Sequence, residues 1–347
     1  GMSIGLLHLS RVDGVLWFSI LIPCLYQWFK SKGDRGSVGR GILLFLGGYI
    51  LVMAPWMVRN LMVFGHLFPP GGNQTLWLRN YDQLFSYPAD GLNFQHWWAS
   101  GLDEIIRVRF WAMGINLQRA LVEQGSIFLA PLVVLGLWCL RAELRIQAGV
   151  LVWGLTFGLM TFVFPFAGAR GGFFHASAAL QPLFWAVVPL GLLTFTRWGE
   201  QHRGWRREQA NLVFGGAVVL FAVAFSAVVI SLRVIGPDPQ NISWGRTANH
   251  YTQIEDALQK YGANEEDIVM VKNPPGYYIV SERRAIVIPD GDPQALLAAG
   301  TRYGARYVVL ESDHTQFLDD LYRDPHQKIP GLAYLFSLEN TAIFEIK

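Results

Sequence analysis

The sequence predicts an α-helical polytopic membrane protein, with about six transmembrane helices, that ends in a small α/β domain. First, 52% of the 347 residues are hydrophobic and only 16% are charged, whereas ordinary soluble domains carry about 25% charged residues. Second, several charge-free runs approach the length of about 20 residues that a helix needs to cross a bilayer. Third, charges become frequent after Arg233, where short β-branched runs alternate with helical ones.

Six apolar runs form the predicted membrane region. A charge at the middle of a bilayer costs about 2.5–3.5 kcal/mol, and none of these runs contains one. The first run is short, but the apolar stretch before it extends it, and the second run ends near Pro55, where a helix can kink or stop. Because Gly1 precedes Met2 in an apolar run, we expect the chain to begin inside a longer protein, part-way along a helix. The six runs are Gly14–Phe29, Ile42–Val58, Ser126–Leu140, Gly149–Phe166, Ala178–Phe195 and Leu212–Leu232.

The positive charges between these runs predict the orientation. Short loops rich in Lys and Arg stay in the cytoplasm, whereas the intervening loop Ala167–Ser177 holds only Arg170. We therefore predict a multi-pass protein of the cytoplasmic membrane, with residues 59–125, the Arg170 loop and the C-terminal domain outside. The basic residues lie between the first and second, third and fourth, and fifth and sixth runs: Lys30, Lys32, Arg35, Arg40, Arg141, Arg145, Arg197, Arg203, Arg206 and Arg207.

Two domains follow from this pattern. Residues 1–235 form the transmembrane region, and its outer segment, at about 59–125, is rich in aromatic residues that suit a membrane interface. Within that segment, Leu102–Glu123 has the spacing of an amphipathic interfacial helix. Residues 236–347 form the soluble α/β domain.

The soluble domain alternates helices and strands. Asp292 and Pro293 are typical of the N-cap and first position of a helix, and we expect that helix to continue to Gly300. The segment Asn273–Gly276 reads as a turn, and no glycine-rich phosphate loop follows a strand. The remaining predicted elements are the helices His250–Lys260 and Thr315–Tyr322, the strands Asp267–Val271, Ala285–Ile288 and Arg306–Leu310, and a hairpin of Tyr334–Leu338 with Ala342–Ile346.

Three arginines lie at the predicted outer ends of the membrane helices. Arg11 precedes the first run, Arg59 follows the second, and Arg170 lies in a glycine-rich loop before the fifth. A guanidinium binds two phosphate oxygens at once, so these side chains are candidates for binding the phosphate of a lipid. The alternative is that each arginine only reaches the headgroups and fixes the depth of its helix.

Other polar residues on the outer side are weaker candidates. Asp13, Asp82 and His175 are candidates for contacts with an acceptor or a sugar, although solvated loop residues would read the same way. The sequence identifies no catalytic residue and no cofactor, and leaves a divalent metal open. The histidines lack the spacing of a zinc site, and no basic stripe with interleaved aromatic residues predicts nucleic-acid binding.

Two segments carry a family resemblance. His8–Gly14, with the sequence HLSRVDG, resembles the recurring "LxRxDG" or "TRPxG" segment of integral-membrane glycosyltransferases of the GT-C superfamily, which includes protein mannosyltransferases and aminoarabinose transferase-like enzymes. Ala54–Asn60, with Phe64 and Gly65, resembles their "PWxxRNxxxFG" segment. The resemblance covers most of the membrane region, and the C-terminal α/β domain is similar to that of bacterial members.

The resemblance implies transfer of a sugar from a polyprenyl-phosphate carrier to an acceptor outside, with the bilayer and the lipid-linked donor as partners. It casts Arg11 and Arg59 as partners of the carrier phosphate. In this family the catalytic aspartate lies in a first outer loop that this chain lacks, so we expect the chain alone to be an inactive fragment. Two alternatives stay open: a transporter or flippase, and a non-catalytic scaffold with an outer binding domain.

Overall fold

A computed structural model gives the fold, and the chain is mostly helical. Lys32, which belongs to the first predicted basic loop, lies outside the residues that the structure describes. Those residues are 1–31, 35–69, 71–239 and 242–347.

The chain divides into two compact units, each with its own packing. The first unit contains Gly1–Leu76 and Trp98–Ala224, and the second contains Trp77–Trp97 and Phe225–Lys347. The second unit therefore includes a piece of the aromatic segment as well as the C-terminal domain.

Ten helices are assigned in residues 1–235 as the structure describes them. Short 3-10 turns at Gln74–Trp77, Asp82–Phe85 and Ala89–Gly91 lie between α3 and α4. The helices are α1 (Met2–Ser10), α2 (Val12–Lys30), α3 (Arg35–Phe64), α4 (Phe94–Trp98), α5 (Leu102–Arg119), α6 (Ala130–Cys139), α7 (Leu144–Val163), α8 (Pro165–Ala186), α9 (Val188–Arg203) and α10 (Arg207–Ile235).

The prediction of six spanning helices is wrong in its count. Within the described residues, four helices are long and apolar enough to cross a membrane (α2, α3, α7 and α10), and a fifth span results if α8 and α9, bent by 43°, are taken together. The predicted span Ser126–Leu140 shrinks to α6, whose ten residues cover only about 15 Å. Ser126 and Ile127, with φ of 43° and 58°, end the regular helix before it.

The first three helices form a compact group. Arg11 is extended, with φ of −154°, and this separates α1 from α2. Pro55, where the sequence allowed a kink or a stop, does not end α3, and the helix continues beyond the predicted Val58 to Phe64. Because proline has no backbone N–H, Pro55 removes one hydrogen bond from α3, and the residues on both sides of it remain helical.

Helix α5 confirms the predicted helix in the aromatic segment. It spans Leu102–Arg119 and continues as a π-helix over Ala120–Gln124. One face buries Ile105 and Val108 against the unit, while Phe110 remains 63% exposed. An exposed apolar stripe on a helix with charged neighbours is typical of a membrane interface.

Helices α6 and α9 pack closely because glycines line their contact. An added Cβ at Gly136 would collide with the carbonyl of Val187, and one at Gly191 with the carbonyl of Leu132. The absence of side chains at these glycines therefore permits the close backbone approach that is common between membrane helices.

The second unit contains a five-stranded mixed sheet in the order β2-β1-β3-β5-β4. The first three strands are parallel, and β5 pairs antiparallel with both β3 and β4. The predicted hairpin is confirmed. The strands are β1 (Ile268–Val271), β2 (Ala285–Val287), β3 (Ala305–Leu310), β4 (Leu332–Leu338) and β5 (Thr341–Ile346).

Helices cover both faces of this sheet. They are α11 (Arg246–Lys260), α12 (Pro274–Ser281), α13 (Pro293–Tyr303) and α14 (Asp319–Arg323). Asp292 caps α13 as predicted, since its side chain accepts the amide of Ala295 at 2.9 Å. The prediction of a turn at Asn273–Gly276 is incomplete: Asn273 accepts the amide of Gly276 and begins α12.

Candidate functional site

Arg11 lies at the break between α1 and α2, beside its own counter-charge. Its Nε donates to Oδ1 of Asp13 at 2.9 Å, and the Arg11 side chain remains 42% exposed. The break is tight because Gly14 packs against the carbonyl of Leu7, with no room for a Cβ. Asp13, one of the predicted acceptor contacts, is therefore an ion-pair partner of Arg11 in this structure.

Arg59 lies near the end of α3, and its charge is not neutralised by a carboxylate among the described residues. Nη1 donates to Oδ1 of Asn60 at 3.1 Å, and the guanidinium lies 5.4 Å from the centre of the Phe64 ring. Asn60 is fully buried and donates to the carbonyl of Leu67 at 3.3 Å. The exposed Arg59 is thus held by the amide of a buried residue, and no carboxylate among the described residues neutralises its charge.

Arg11 and Arg59 lie at the same end of the first helix group. Helix α1 runs alongside α3 in the same direction, because Met2 contacts Gly48 and Gly5 contacts Val52. The first part of α2, Val12–Ile20, is a 3-10 helix. From the rise per residue of 3-10 and α-helices, Arg11 lies about 33 Å along α2 from Lys30, and Arg59 lies about 36 Å along α3 from Arg35.

Arg170 belongs to a different part of the first unit. It lies in a π-helix, Gly168–Gly172, whose Gly171 has a φ of 132°. A Cβ added at Gly171 would lie 3.5 Å from Nε2 of His175 and 3.8 Å from Nη1 of Arg119. The structure therefore brings His175 next to Arg119, a residue that the sequence did not single out.

Asp82 belongs to the second unit, whereas the other predicted site residues belong to the first. Its carboxylate lies 3.8 Å from Nζ of Lys272, which is equally far from the carboxylate of Asp313. Lys272 follows β1 and Asp313 lies just after β3. In open α/β sheets, ligands bind at the carboxyl ends of parallel strands where the strand order reverses, and β1 and β3 flank that point here.

Two further carboxyl groups lie in this crevice, and burial perturbs both. Burial raises the pKa of Asp290, and the carboxylate of Asp82 raises it further, while Lys272 opposes the shift. Burial also raises the pKa of Glu311, although a hydrogen bond of 3.2 Å from the hydroxyl of Tyr251 favours its ionised form. The crevice therefore holds more carboxyl groups than its single ammonium can neutralise.

Sequence reasoning found no site in the soluble domain, because its acidic residues are spread over the chain. The usable signal was positional: Lys272 and Glu311 each come directly after a predicted strand. Which strands are neighbours is a tertiary fact, and the contact with Asp82 depends on a segment that is far away in sequence.

Metal binding receives no support in the described part of the chain, where no group of three or more His, Cys, Asp or Glu side chains is arranged to hold an ion. Comparisons with protein-family models, curated proteins and solved structures found no match to this chain.

Proposed function

We propose that this chain is part of a membrane glycosyltransferase that transfers a sugar from a polyprenyl-phosphate carrier to an acceptor on the outer face of the cytoplasmic membrane. The carrying observation is Arg59, an exposed guanidinium at the end of a long apolar helix, level with Arg11. At that depth the planar fork of Arg59 can bind two oxygens of a lipid phosphate. Because Asp13 already holds Arg11, we assign Arg59 the larger part of the binding.

The proposed orientation rests on basic residues that lie at one end of neighbouring helices. Cys139, at the end of α6, contacts the hydroxyl of Thr194 in α9 at 3.2 Å. Arg141 comes shortly after Cys139, and Arg197 comes shortly after Thr194. Both basic clusters therefore lie at the same end of these helices, which we take as the cytoplasmic end. The ends of α3 and α10 then lie outside, and so does the C-terminal domain.

This orientation requires the chain to cross the membrane once between α3 and α7. Helix α6 alone is too short. We propose that the π-helix Ala120–Gln124 and the turn after it complete the crossing. Two half-buried side chains stabilise that irregular backbone: Nε2 of Gln181 donates to the carbonyl of Gln124 at 2.8 Å, and Nε1 of Trp153 donates to its side-chain oxygen at 2.8 Å.

Transfer of a labelled sugar from a polyprenyl-phosphate donor, measured in membranes that contain the full-length protein, tests the proposal. We expect Arg59→Ala to reduce transfer at least tenfold, because a charge-assisted hydrogen bond contributes about 1.5–3 kcal/mol. The matched control is Arg107→Ala, an exposed arginine paired with Glu104 at 2.7 Å, which should leave transfer unchanged. Equal transfer by the Arg59→Ala variant and the unaltered protein refutes the assignment.

The bend between α8 and α9 favours one second candidate, a transporter. Discontinuous helices form the substrate sites of many transporters, usually as a pair from two repeats, and the described residues contain one such bent pair. A transporter would move its substrate across sealed vesicles without consuming a lipid-linked sugar. Sugar transfer without substrate movement excludes it.

A further inference from the structure

Arg119 and His175 both approach the point beside Gly171 at which a side chain of that residue would begin. This point lies within 3.5 Å of Nε2 of His175 and 3.8 Å of Nη1 of Arg119. The two nitrogen atoms are therefore no farther apart than the sum of these distances. Gly171 is itself buried, and its φ of 132° is one that other residues rarely adopt.

The guanidinium of Arg119 has no counter-charge within the described residues. Glu123, one turn further along the chain, is exposed and forms no ion pair with it. Arg119 is only partly exposed, so its charge is less well solvated than that of a surface arginine. An ionised group that is partly removed from water is normally paired, and this one lacks its partner.

A buried amide in the same neighbourhood is also incompletely bonded. Asn116, one turn before Arg119, is fully buried and donates to the carbonyl of Met160 and the hydroxyl of Thr161 at 3.3 and 3.0 Å. Its Oδ1 has no hydrogen-bond partner in the described structure. The carbonyl of Met160 also packs against Gly168, three residues before Gly171. An unsatisfied buried polar atom is rare in a folded protein and calls for an explanation, such as an ordered water, an ion or a catalytic role.

We propose that Arg119 and His175 bind a phosphate group at Gly171. One phosphate can accept a hydrogen bond of about 2.8 Å from each of the two side chains, and its oxygens are far enough apart to bridge them. The guanidinium supplies the positive charge, and the imidazole donates from Nε2. The site is separate from the one that we assign to Arg59 and does not depend on the proposed glycosyl transfer.

A phosphate at this site can come from a phospholipid headgroup or from a soluble phosphate. Two titrations of the purified full-length protein distinguish them: inorganic phosphate by calorimetry in detergent, and phosphatidylglycerol by native mass spectrometry, with phosphatidylcholine as the competing lipid. Saturable binding of inorganic phosphate identifies a soluble ligand. Preferential retention of phosphatidylglycerol, with no response to inorganic phosphate, identifies a headgroup.

The variants decide whether these side chains are responsible. We expect Arg119→Gln and His175→Gln each to weaken binding of the responding probe about tenfold, which is the loss of one charge-assisted hydrogen bond. Arg119→Lys keeps the charge without the fork and should bind with intermediate affinity. Arg107→Gln, on the same helix but paired with Glu104, should bind normally. Unaltered binding by Arg119→Gln, or failure of the unaltered protein to bind either probe, overturns the proposal.

Discussion

Removing the guanidinium of Arg283 should strongly destabilise the C-terminal domain. Arg283 is paired with Glu255 inside the second unit, where their side chains are only 2% and 9% exposed. Nε and Nη2 donate to the carboxylate at 2.9 and 2.6 Å, and the hydroxyl of Tyr277 donates to it at 2.8 Å. The substitution Arg283→Met leaves that carboxylate buried without its counter-ion, which costs about 3–5 kcal/mol.

Hydrogen exchange measures this loss locally, as is necessary because a chain of two units need not unfold in one step. Amides of β1 and α11 should exchange roughly two to nearly four orders of magnitude faster in the variant, since each factor of ten corresponds to about 1.4 kcal/mol. The matched control is Arg284→Met, which removes an exposed pair with Glu266 and should change stability by no more than about 1 kcal/mol. Equal exchange in the two variants would refute the reasoning.

The same pair predicts an acid transition. Burial alone would raise the pKa of Glu255, but hydrogen bonds from Arg283, Tyr277 and Gln259 outweigh it and lower the pKa below its ordinary value of 4.5. The folded state therefore holds the ionised form more strongly than the unfolded chain does. This stabilisation is present above the ordinary pKa and is lost as the pH falls through the lowered one. Protection of β1 should decrease in that range, and the Arg283→Met variant should lack that pH dependence.

Three further predictions concern other contacts. Burial raises the pKa of Glu311 despite the hydrogen bond from Tyr251, so the domain should lose stability as the pH rises through that pKa. Thermal unfolding between pH 4 and about pH 8 measures this loss, and the Glu311→Gln substitution should lessen it. Gly191→Val forces α9 away from the carbonyl of Leu132. Overpacking of this kind costs about 1–3 kcal/mol, so the purified protein should melt at a lower temperature. An unchanged melting temperature would show that these helices do not pack as described. Trp244 is 80% exposed close after α10, and as an interfacial residue its fluorescence should be quenched by lipids brominated near the headgroup; quenching only by a water-soluble agent would place it in solvent.

The strands of the C-terminal domain and the start of α13 could be predicted because local chemistry determines them. Asp292 caps its helix by itself, and short runs of β-branched and other apolar residues identify β1 and β3 without knowledge of their neighbours. Helix α12 was missed because Asn273 and the two prolines after it suit a turn as well as the first turn of a helix. Only the residues that follow, packed against α11 and the sheet, decide between the two.

The number of spans could not be predicted because hydropathy records composition and not regular structure. Ser126–Leu140 is charge-free, but the backbone at Ser126 and Ile127 leaves the helical region, and the apolar run divides between a turn and a short helix. At Pro55 the sequence allowed a helix to kink or stop, but α3 continues past it. Neither outcome follows from the local sequence, because the packing of neighbouring helices decides both.

The candidate site was predictable only in part for the same reason. The spans and their loops were enough to place Arg11 and Arg59 at one end of their helices, because a hairpin of two helices brings its outer ends together. The proximity of Arg119 to His175 depends on the π-helix Gly168–Gly172 and on the unusual conformation of Gly171 within it, for which the sequence offers only a pair of glycines. Neighbours across such an irregular backbone require the folded structure.

The central claim is that a lipid-linked phosphate binds at the end of α3, and photocrosslinking tests it most directly. A polyprenyl-phosphate sugar with a photoreactive group near the phosphate is activated in membranes that hold the full-length protein, and the labelled peptides are then sequenced. The account predicts labelling of the segment from Arg59 to Phe64. This labelling should be strongly reduced in the Arg59→Ala variant and unchanged in the Arg107→Ala variant. Labelling at Arg141, at the opposite end of the helices, or labelling at α3 that the Arg59→Ala substitution leaves unchanged, would contradict it.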